Sequence, residues 1–421
     1  NRPEGPNVIL ITIDTLRADH LGSYGYKRDT SPNMDKLAEE GVLYENAFTQ
    51  APWTLPAMAT IHTSLYPSEH GAIKYNLKLK DNFITLAEYM RNNFYKTIGI
   101  TSHLLVSSLH GFSQGYDIFD EEYITRADGT SSEHITERAI EYISDNQDNK
   151  FFLWVHYFDP HYTYLHHEDY NYGRNYSGNL PANLSLKFLR SNKDSFNTED
   201  IEYVKDIYDE EISYTDKHIG ELIDSINNLG LSNDTVIVLT ADHGEEFMER
   251  NGFGHGRNLY QELIRIPLII YAPGELEHRG KRVKENVETR SIPYTILKLI
   301  GIENDLFGGI NLLEITEQEN SGAFSEGSYA WGKGHRKEGI MYENWKLIKN
   351  LDDQSYELYD LEKDPYEKTN LIANQGLKDI NLAKDLKVRL SNLKRERAAE
   401  SEKVKFKQED VDRLKALGYI Q

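Results

Sequence analysis

The chain has 421 residues, enough for one large core with a smaller unit beside it, and 39% apolar against 27% charged residues marks a globular protein. A formal charge of -21 repels nucleic acid and anionic membrane surfaces, so neither is expected as a partner, whereas a small anionic ester in a locally positive pocket remains admissible. The absence of cysteine excludes disulfides, thiolate zinc sites and a cysteine nucleophile.

No apolar run reaches the roughly 18 residues of a membrane helix, so no span is expected. No basic, hydrophobic leader is read at Asn1, and neither observation assigns a compartment.

In chain order, Val8–Ile13 is a continuous apolar, β-branched run that predicts a strand covered on both faces, ending on Asp14. Ser31 and Pro32 read as the cap and first position of a helix, with Met34, Leu37 and Ala38 on its inner face and Gly41 closing it. A helix over Ala59–Leu65 places Thr54 beside a helix N-terminus. Further buried strands are predicted at Thr97–Thr101, Phe151–Val155, Val236–Thr240 and Pro267–Tyr271.

Asn171–Asn183 reads as a polar loop. Ile212, Ile219, Leu222, Ile223 and Ile226 give helical spacing over Glu210–Leu229, stopped by Gly230. The alternation predicts a doubly wound α/β fold with a mostly parallel sheet. After Gly309, short pieces at Ile340–Tyr342 and Trp345–Ile348 suggest a small antiparallel sheet, and a charged helix is expected over Leu377–Lys405. Lys394, Arg395 and Arg397 on it read as a solvated face. The division is an α/β catalytic domain at 1–315 and a C-terminal α+β subdomain at 316–421.

Ligands of an open parallel sheet bind at the carboxyl ends of its strands. Two strands here end on metal-type side chains, one on Asp14 and one on Asp242-His243-Gly244. One such Asp alone is more often a helix cap. Two in one sheet, one followed by His-Gly, point to a divalent cation among Ca²⁺, Mg²⁺, Mn²⁺ and Zn²⁺. Thr54 alone is also a cap, but at a helix N-terminus that favours anions, and beside a metal, its hydroxyl gains the chemistry of a nucleophile.

These segments resemble the sulfatase family of the alkaline phosphatase superfamily. Asn7–Gly25 is similar to that family's opening strand and loop, and Thr54-Leu55-Pro56-Ala57-Met58 with His62–Pro67 and His70-Gly71 to its signature and trailing motif. Phe151–His161 resembles the middle strand ending in Pro-His, and Asp242–Gly256 with Leu259–Glu262 and Pro267–Ile269 the second metal segment. Tyr356–Leu371 and Leu417-Gly418-Tyr419 resemble its C-terminal strand and tail, so the likeness runs nearly the whole length in order.

The resemblance implies an alkaline phosphatase-like fold and one divalent metal held by Asp14, Asp242 and His243, with the Thr54 oxygen as a further ligand and nucleophile. It implies that His161 serves as leaving-group acid or ester-oxygen ligand, and that His255 contacts the anion where sulfatases often carry lysine. Arg17 is expected to orient the first metal loop and, with His103, to serve the substrate. For His70, His103 and His156 a structural role fits equally well. A second cation on Asp159, His161 and His255, in the manner of nucleotide pyrophosphatases, is the less favoured arrangement.

Three departures stand out. Sulfatases oxidise a signature Cys or Ser to formylglycine, and oxidising Thr54 would give a ketone instead. Met58 replaces the signature arginine, and Thr15 replaces the second acid of the usual Asp-Asp pair. The family's Gly-Lys-Trp-His segment is represented by Gly99–His103. Relatives that use an unmodified Thr or Ser act on phosphoryl groups, so the expectation is a phosphodiesterase- or phosphonoesterase-type hydrolase or transferase of a small-molecule, glycan or lipid-head-group ester. The alternatives are a sulfatase with Thr54 in place of a native Cys or Ser, and a non-catalytic binder of a sulfated or phosphorylated glycan.

Overall fold

A computed structural model describes residues 4–125, 130–315, 322–327, 335–374, 377–393 and 402–420. The main strands in chain order are β1 (Asn7–Ile13), β2 (Val42–Phe48), β3 (Lys96–Thr101), β4 (Ile118–Asp120), β5 (Phe151–Tyr157) and β6 (Thr235–Ala241). They are followed by a small hairpin of β7 (Glu246–Phe247) and β8 (Phe253–Gly254), then β9 (Arg265–Ile266), β10 (Leu268–Tyr271) and β11 (Lys281–Glu288). Among the described residues these make a nine-stranded sheet in the order β11-β2-β10-β6-β1-β5-β3-β4, with β9 also on β2.

From β6 through β4 every pairing is parallel, and β9 and β10 run against their neighbours. The expected mostly parallel, doubly wound α/β architecture is therefore the observed one. The apolar runs that form β1, β5 and β6 are buried along their whole lengths, as strands flanked by helices on both faces must be. β2 and β11 were not read from the sequence. Glu45 and Asn46 interrupt the first, and charged residues at five of its eight positions give the second the texture of an edge strand.

The helix expected over 210–229 is longer, Thr198–Asn228, because Asn197 accepts the Asp200 amide in a capping box well before the apolar spacing begins. The small C-terminal sheet comprises β12 (Ala323–Glu326), β13 (Lys337–Tyr342), β14 (Trp345–Asn350) and β15 (Tyr356–Asp360), all antiparallel. The expected single helix over 377–405 is instead Leu377–Asn392, and the chain then returns through a bridge between Leu77 and Lys403 to a second helix, Gln408–Ala416. Lys394, Arg395 and Arg397 lie outside the described residues. Among the described residues no helix is long and apolar enough to cross a membrane.

The C-terminal sheet touches the main fold through a buried polar knot. Lys346 of β14 pairs with Glu367 at 2.7 Å, and Glu367 also accepts the Gln261 amide at 2.7 Å. Beside them burial pushes Glu262 up to about 7, against the pull of Arg250 at 3.3 Å. An acid whose folded pKa lies above its unfolded value holds its proton more tightly in the folded state. Its stabilising contribution is therefore full below about pH 4.5 and is lost as pH rises toward 7. Glu262→Gln removes that loss, so from pH 5 to 8 the variant is expected to gain stability relative to the parent in urea unfolding. A pH-independent difference would refute the assignment.

Candidate active site

Four neighbouring parallel strands deliver one cluster at their carboxyl ends. Asp14 follows β1, Asp242 and His243 follow β6, His156 is the penultimate residue of β5, and His103 lies just past β3. The turn after β1 is held in an unusual conformation. Thr15 has φ 55°, left-handed for a β-branched residue, while its amide donates to Asp242 Oδ1 (3.2 Å) and its carbonyl accepts from Tyr208 (2.7 Å).

After β6 the chain bends so that the Gly244 amide donates to the Leu263 carbonyl at 2.8 Å. Gly244 is required there because a Cβ would lie 2.1 Å from the Glu262 carbonyl oxygen.

Asp14 is fully buried, and neither of its carboxylate oxygens finds a hydrogen-bond donor among the described residues; the same holds for Asp242 Oδ2. Burial, reinforced by the Asp242 carboxylate, pushes the Asp14 carboxyl well above its usual range. His243 Nδ1 donates to the Gly244 carbonyl (2.8 Å), leaving the Nε2 lone pair directed into the cluster, 3.4 Å from Asp242 Oδ2 and 3.7 Å from Asp14 Oδ1. Ligand atoms of Asp14, Asp242 and His243 lie within 4.8 Å of one another, so these buried, donor-less oxygens and one lone pair fit a divalent cation.

Thr54 is the first residue of the helix Thr54–Thr63, whose cap is Trp53. Its hydroxyl therefore does not cap the helix. It lies 3.2 Å from His243 Nε2 and 3.3 Å from the Tyr419 hydroxyl, beside first-turn amides that no side chain caps. Met58, where the resemblance places arginine, is fully buried in the same helix.

His161 and His255 stand opposite, with ring centres 5.2 Å apart. His161 Nδ1 donates to the Tyr162 carbonyl (2.8 Å), and His255 Nδ1 faces Glu245 at 3.2 Å, so both Nε2 atoms point inward. Burial, reinforced by the other histidines of the cluster, pushes both rings well below the usual imidazole range, and they are neutral.

The Tyr419 hydroxyl sits between them, 3.4 Å from His255 Nε2 and 3.5 Å from His161 Nε2. Tyr419 was noted in the sequence only as part of a tail motif. Gly418, at φ 69° and with a Cβ position 3.0 Å from Leu186, makes the turn that sends the ring inward.

Other expected site residues go elsewhere. Arg17 spends four N–H groups on Asp19, Glu249 and the Glu245 carbonyl, which ties the loop after β1 to the segment after β6 and commits the guanidinium to these partners. Asp159 accepts the Ser131 and Ser132 amides and the Ser132 hydroxyl, so it caps a helix and is not a ligand beside His161 and His255. His70 bonds to the Pro56 carbonyl and the Ala72 amide in a structural role. His103 and His156, by contrast, both face Asp14 Oδ2, at 3.3 and 3.6 Å.

The parallel sheet, with carboxylates and imidazoles at the ends of its central strands, defines an alkaline phosphatase-like hydrolase. The sulfatase family profile matches residues 6–302, and the profile of the N-sulphoglucosamine sulphohydrolase C-terminal region matches residues 250–396. The chain thus belongs to the sulfatase family of ester hydrolases, whose members generally hold a divalent metal.

An arylsulfatase of Clostridium perfringens is 25% identical over 89% of this chain and 92% of its own length. Human iduronate 2-sulfatase is 25% identical over 64% of this chain and 60% of its own. Among solved structures, the phosphonate monoester hydrolase of Agrobacterium radiobacter superposes with a TM-score of 0.74 at 23% identity, covering 91% of this chain and 94% of that one. A protein solved with its substrate D-glucosamine-2-N,6-O-disulfate reaches 0.75 at 20% identity, covering 93% and 99%.

The bend at Gly244 gives a direct check on the site's construction. Gly244→Ala is expected to lower folding stability by about 1–3 kcal/mol, through overpacking against the Glu262 carbonyl. If Asp242 and His243 hold a divalent cation, the variant should also weaken its binding, read by metal titration. A variant with unchanged affinity would show that the bend does not set the ligands.

Proposed function

We propose that this protein hydrolyses phosphate or phosphonate esters of a small molecule, glycan or lipid head group, with Thr54 as nucleophile. In this reading Asp14, Asp242, His243 and the Thr54 oxygen hold one divalent cation. The supporting observation is the Thr54 hydroxyl itself. It stands at a helix N-terminus without capping it, 3.2 Å from the inward-facing imidazole nitrogen of His243, and cannot be converted to formylglycine. A divalent cation there supplies positive charge that lowers the pKa of a neighbouring hydroxyl and offsets the ester's anionic oxygens.

The chain's own groups supply the rest. The Thr54 oxygen attacks phosphorus, its hydroxyl proton passing to an inward-facing Nε2 of His161 or His255. The bond to the leaving oxygen then breaks and that proton is returned to it. Water, or an acceptor alcohol, subsequently releases the phosphoryl group from Thr54. The buried first-turn amides of the helix Thr54–Thr63 favour the transferring anion. The split at 1–315 and 316–421 belongs to the same proposal, with the tail lending Tyr419 to the first unit.

A sulfatase reading has support of its own in the names of the relatives above, two of which are described with sulfated sugars. A panel of p-nitrophenyl phosphate, bis-phosphate, phosphonate and sulfate, run with each of Mg²⁺, Mn²⁺, Ca²⁺ and Zn²⁺, separates the two. The phosphoryl esters are expected to turn over faster, and Thr54→Ala to lose at least about 10³-fold in turnover. Sulfate rates equal to the phosphoryl rates, or full activity without the Thr54 hydroxyl, would sink the proposal. Binding without any turnover would favour a glycan-binding role.

Thr54, His161 and His255 are each at most 2% exposed, and Tyr419 roofs them. Its hydroxyl touches all three, so it is placed to pass the proton between them. Tyr419→Phe keeps the ring and is expected to lower kcat about tenfold or more with KM and Tm nearly unchanged. A change in Tm alone would assign Tyr419 to packing.

A further inference from the structure

We propose a second cation site, formed by Asp14, His103 and His156, that shares the Asp14 carboxylate with the first. The inference rests on reading Asp14, Asp242 and His243 as ligands but is carried by different atoms. The two oxygens of Asp14 face opposite ways. Oδ1 lies toward His243 Nε2 at 3.7 Å, whereas Oδ2 lies toward His103 Nδ1 at 3.3 Å and His156 Nε2 at 3.6 Å. One carboxylate thus presents one oxygen to each of two imidazole groups, the geometry of a bridging ligand.

The spacing distinguishes coordination from hydrogen bonding. A charge-assisted N–H···O⁻ bond closes to about 2.7–2.9 Å. Ligands about 2.0–2.2 Å from a tetrahedral cation stand about 3.3–3.6 Å from one another, since a tetrahedron's edge is ~1.63 times its centre-to-corner distance. The three His–Asp14 separations cluster near the second value. Ligand atoms of Asp14, His103 and His156 all lie within 4.8 Å of one another, and all three side chains are at most 1% exposed. His156 Nε2, both ring nitrogens of His103 and both oxygens of Asp14 lack a hydrogen-bond partner among the described residues.

The surroundings of His156 orient it as a ligand. Its Nδ1 is 2.9 Å from the Thr12 hydroxyl, which accepts the Trp154 indole N–H at 2.9 Å and reaches the Val155 carbonyl at 3.4 Å with its own hydrogen. The Thr12 contact holds Nδ1, so His156 turns Nε2 toward Asp14 Oδ2 in a dry interior, where a cation between the two would satisfy both.

Two imidazoles with one carboxylate select a cation of the Zn²⁺ class over Ca²⁺ or Mg²⁺. The site adjoins the substrate side, since the His103 ring centre is 5.5 Å from that of His161. Two cations would therefore flank an anionic ester from Asp14.

The test is stoichiometry, not turnover. Chelator-stripped full-length protein is titrated with Zn²⁺ alone, and bound metal is counted by mass spectrometry after gel filtration, with Co²⁺ absorption spectra as a second readout. Two Zn²⁺ per chain are expected, falling to one in His103→Gln, in His156→Gln and in Asp242→Asn, with circular dichroism confirming that each variant folds. The Co²⁺ spectrum of Asp242→Asn should keep the nitrogen-rich signature that His156→Gln loses.

One Zn²⁺ in the parent, kept in both histidine variants and lost in Asp242→Asn, would overturn the second site and leave the first reading intact. No bound Zn²⁺ in any form would overturn both.

Discussion

A carboxylate withdrawn from water must meet donors or opposite charge, and Asp14 meets no donor among the described residues. It sits at the end of the strand with the main sheet's longest parallel registers on both sides, so the backbone cannot relax to expose it. The arrangement around it follows from that constraint. Thr15 adopts a left-handed backbone, Asp242 accepts the Thr15 and His243 amides, and Gly244 lets the loop after β6 close against Leu263. What these devices share is that they fix the direction of lone pairs converging on one small volume.

The imidazoles around that volume arrive neutral. Burial holds His103, His161 and His255 well below the usual imidazole range, and His156 at about 4. They are therefore suited to donating lone pairs and relaying protons, and they bring no fixed positive charge. The departures from the sulfatase pattern run in the same direction. Met58 stands for an arginine, His255 for a lysine, and Thr15 for an acid. Neutral side chains thus stand where the resemblance places charged ones, so an anion bound here would depend on a cation or on helix amides for charge compensation.

Much of this was legible in the sequence because buried parallel strands leave continuous apolar runs, and the residue ending such a run has a known position. Asp14, Asp242 and His243 follow directly from that rule, and Thr54 from the helix after it. The edge strand β11 and the polar-interrupted β2 were not legible, since neither shows a buried pattern. His156 was hidden for the opposite reason. Inside a run of aromatic and aliphatic residues it reads as a satisfied core histidine, and only the register Thr12↔His156, one strand over, reveals what its second nitrogen faces. Asp159 was readable as a ligand only in the less favoured two-cation arrangement, and the Ser131 and Ser132 amides that claim it are 28 and 27 residues away in sequence.

The tail could not be placed from local pattern either, because what Tyr419 does depends on where the chain has travelled since residue 360. After the C-terminal sheet the chain recrosses to the main fold, and Tyr162 donates to the Leu417 carbonyl at 3.3 Å, fastening the turn that points Tyr419 inward. The roof over Thr54 thus comes from the far end of the sequence and rests on the segment that carries His161. Thr54, His161 and His255 are each at most 2% exposed beneath that ring, so the Leu-Gly-Tyr tail excludes water from imidazoles whose neutrality depends on burial.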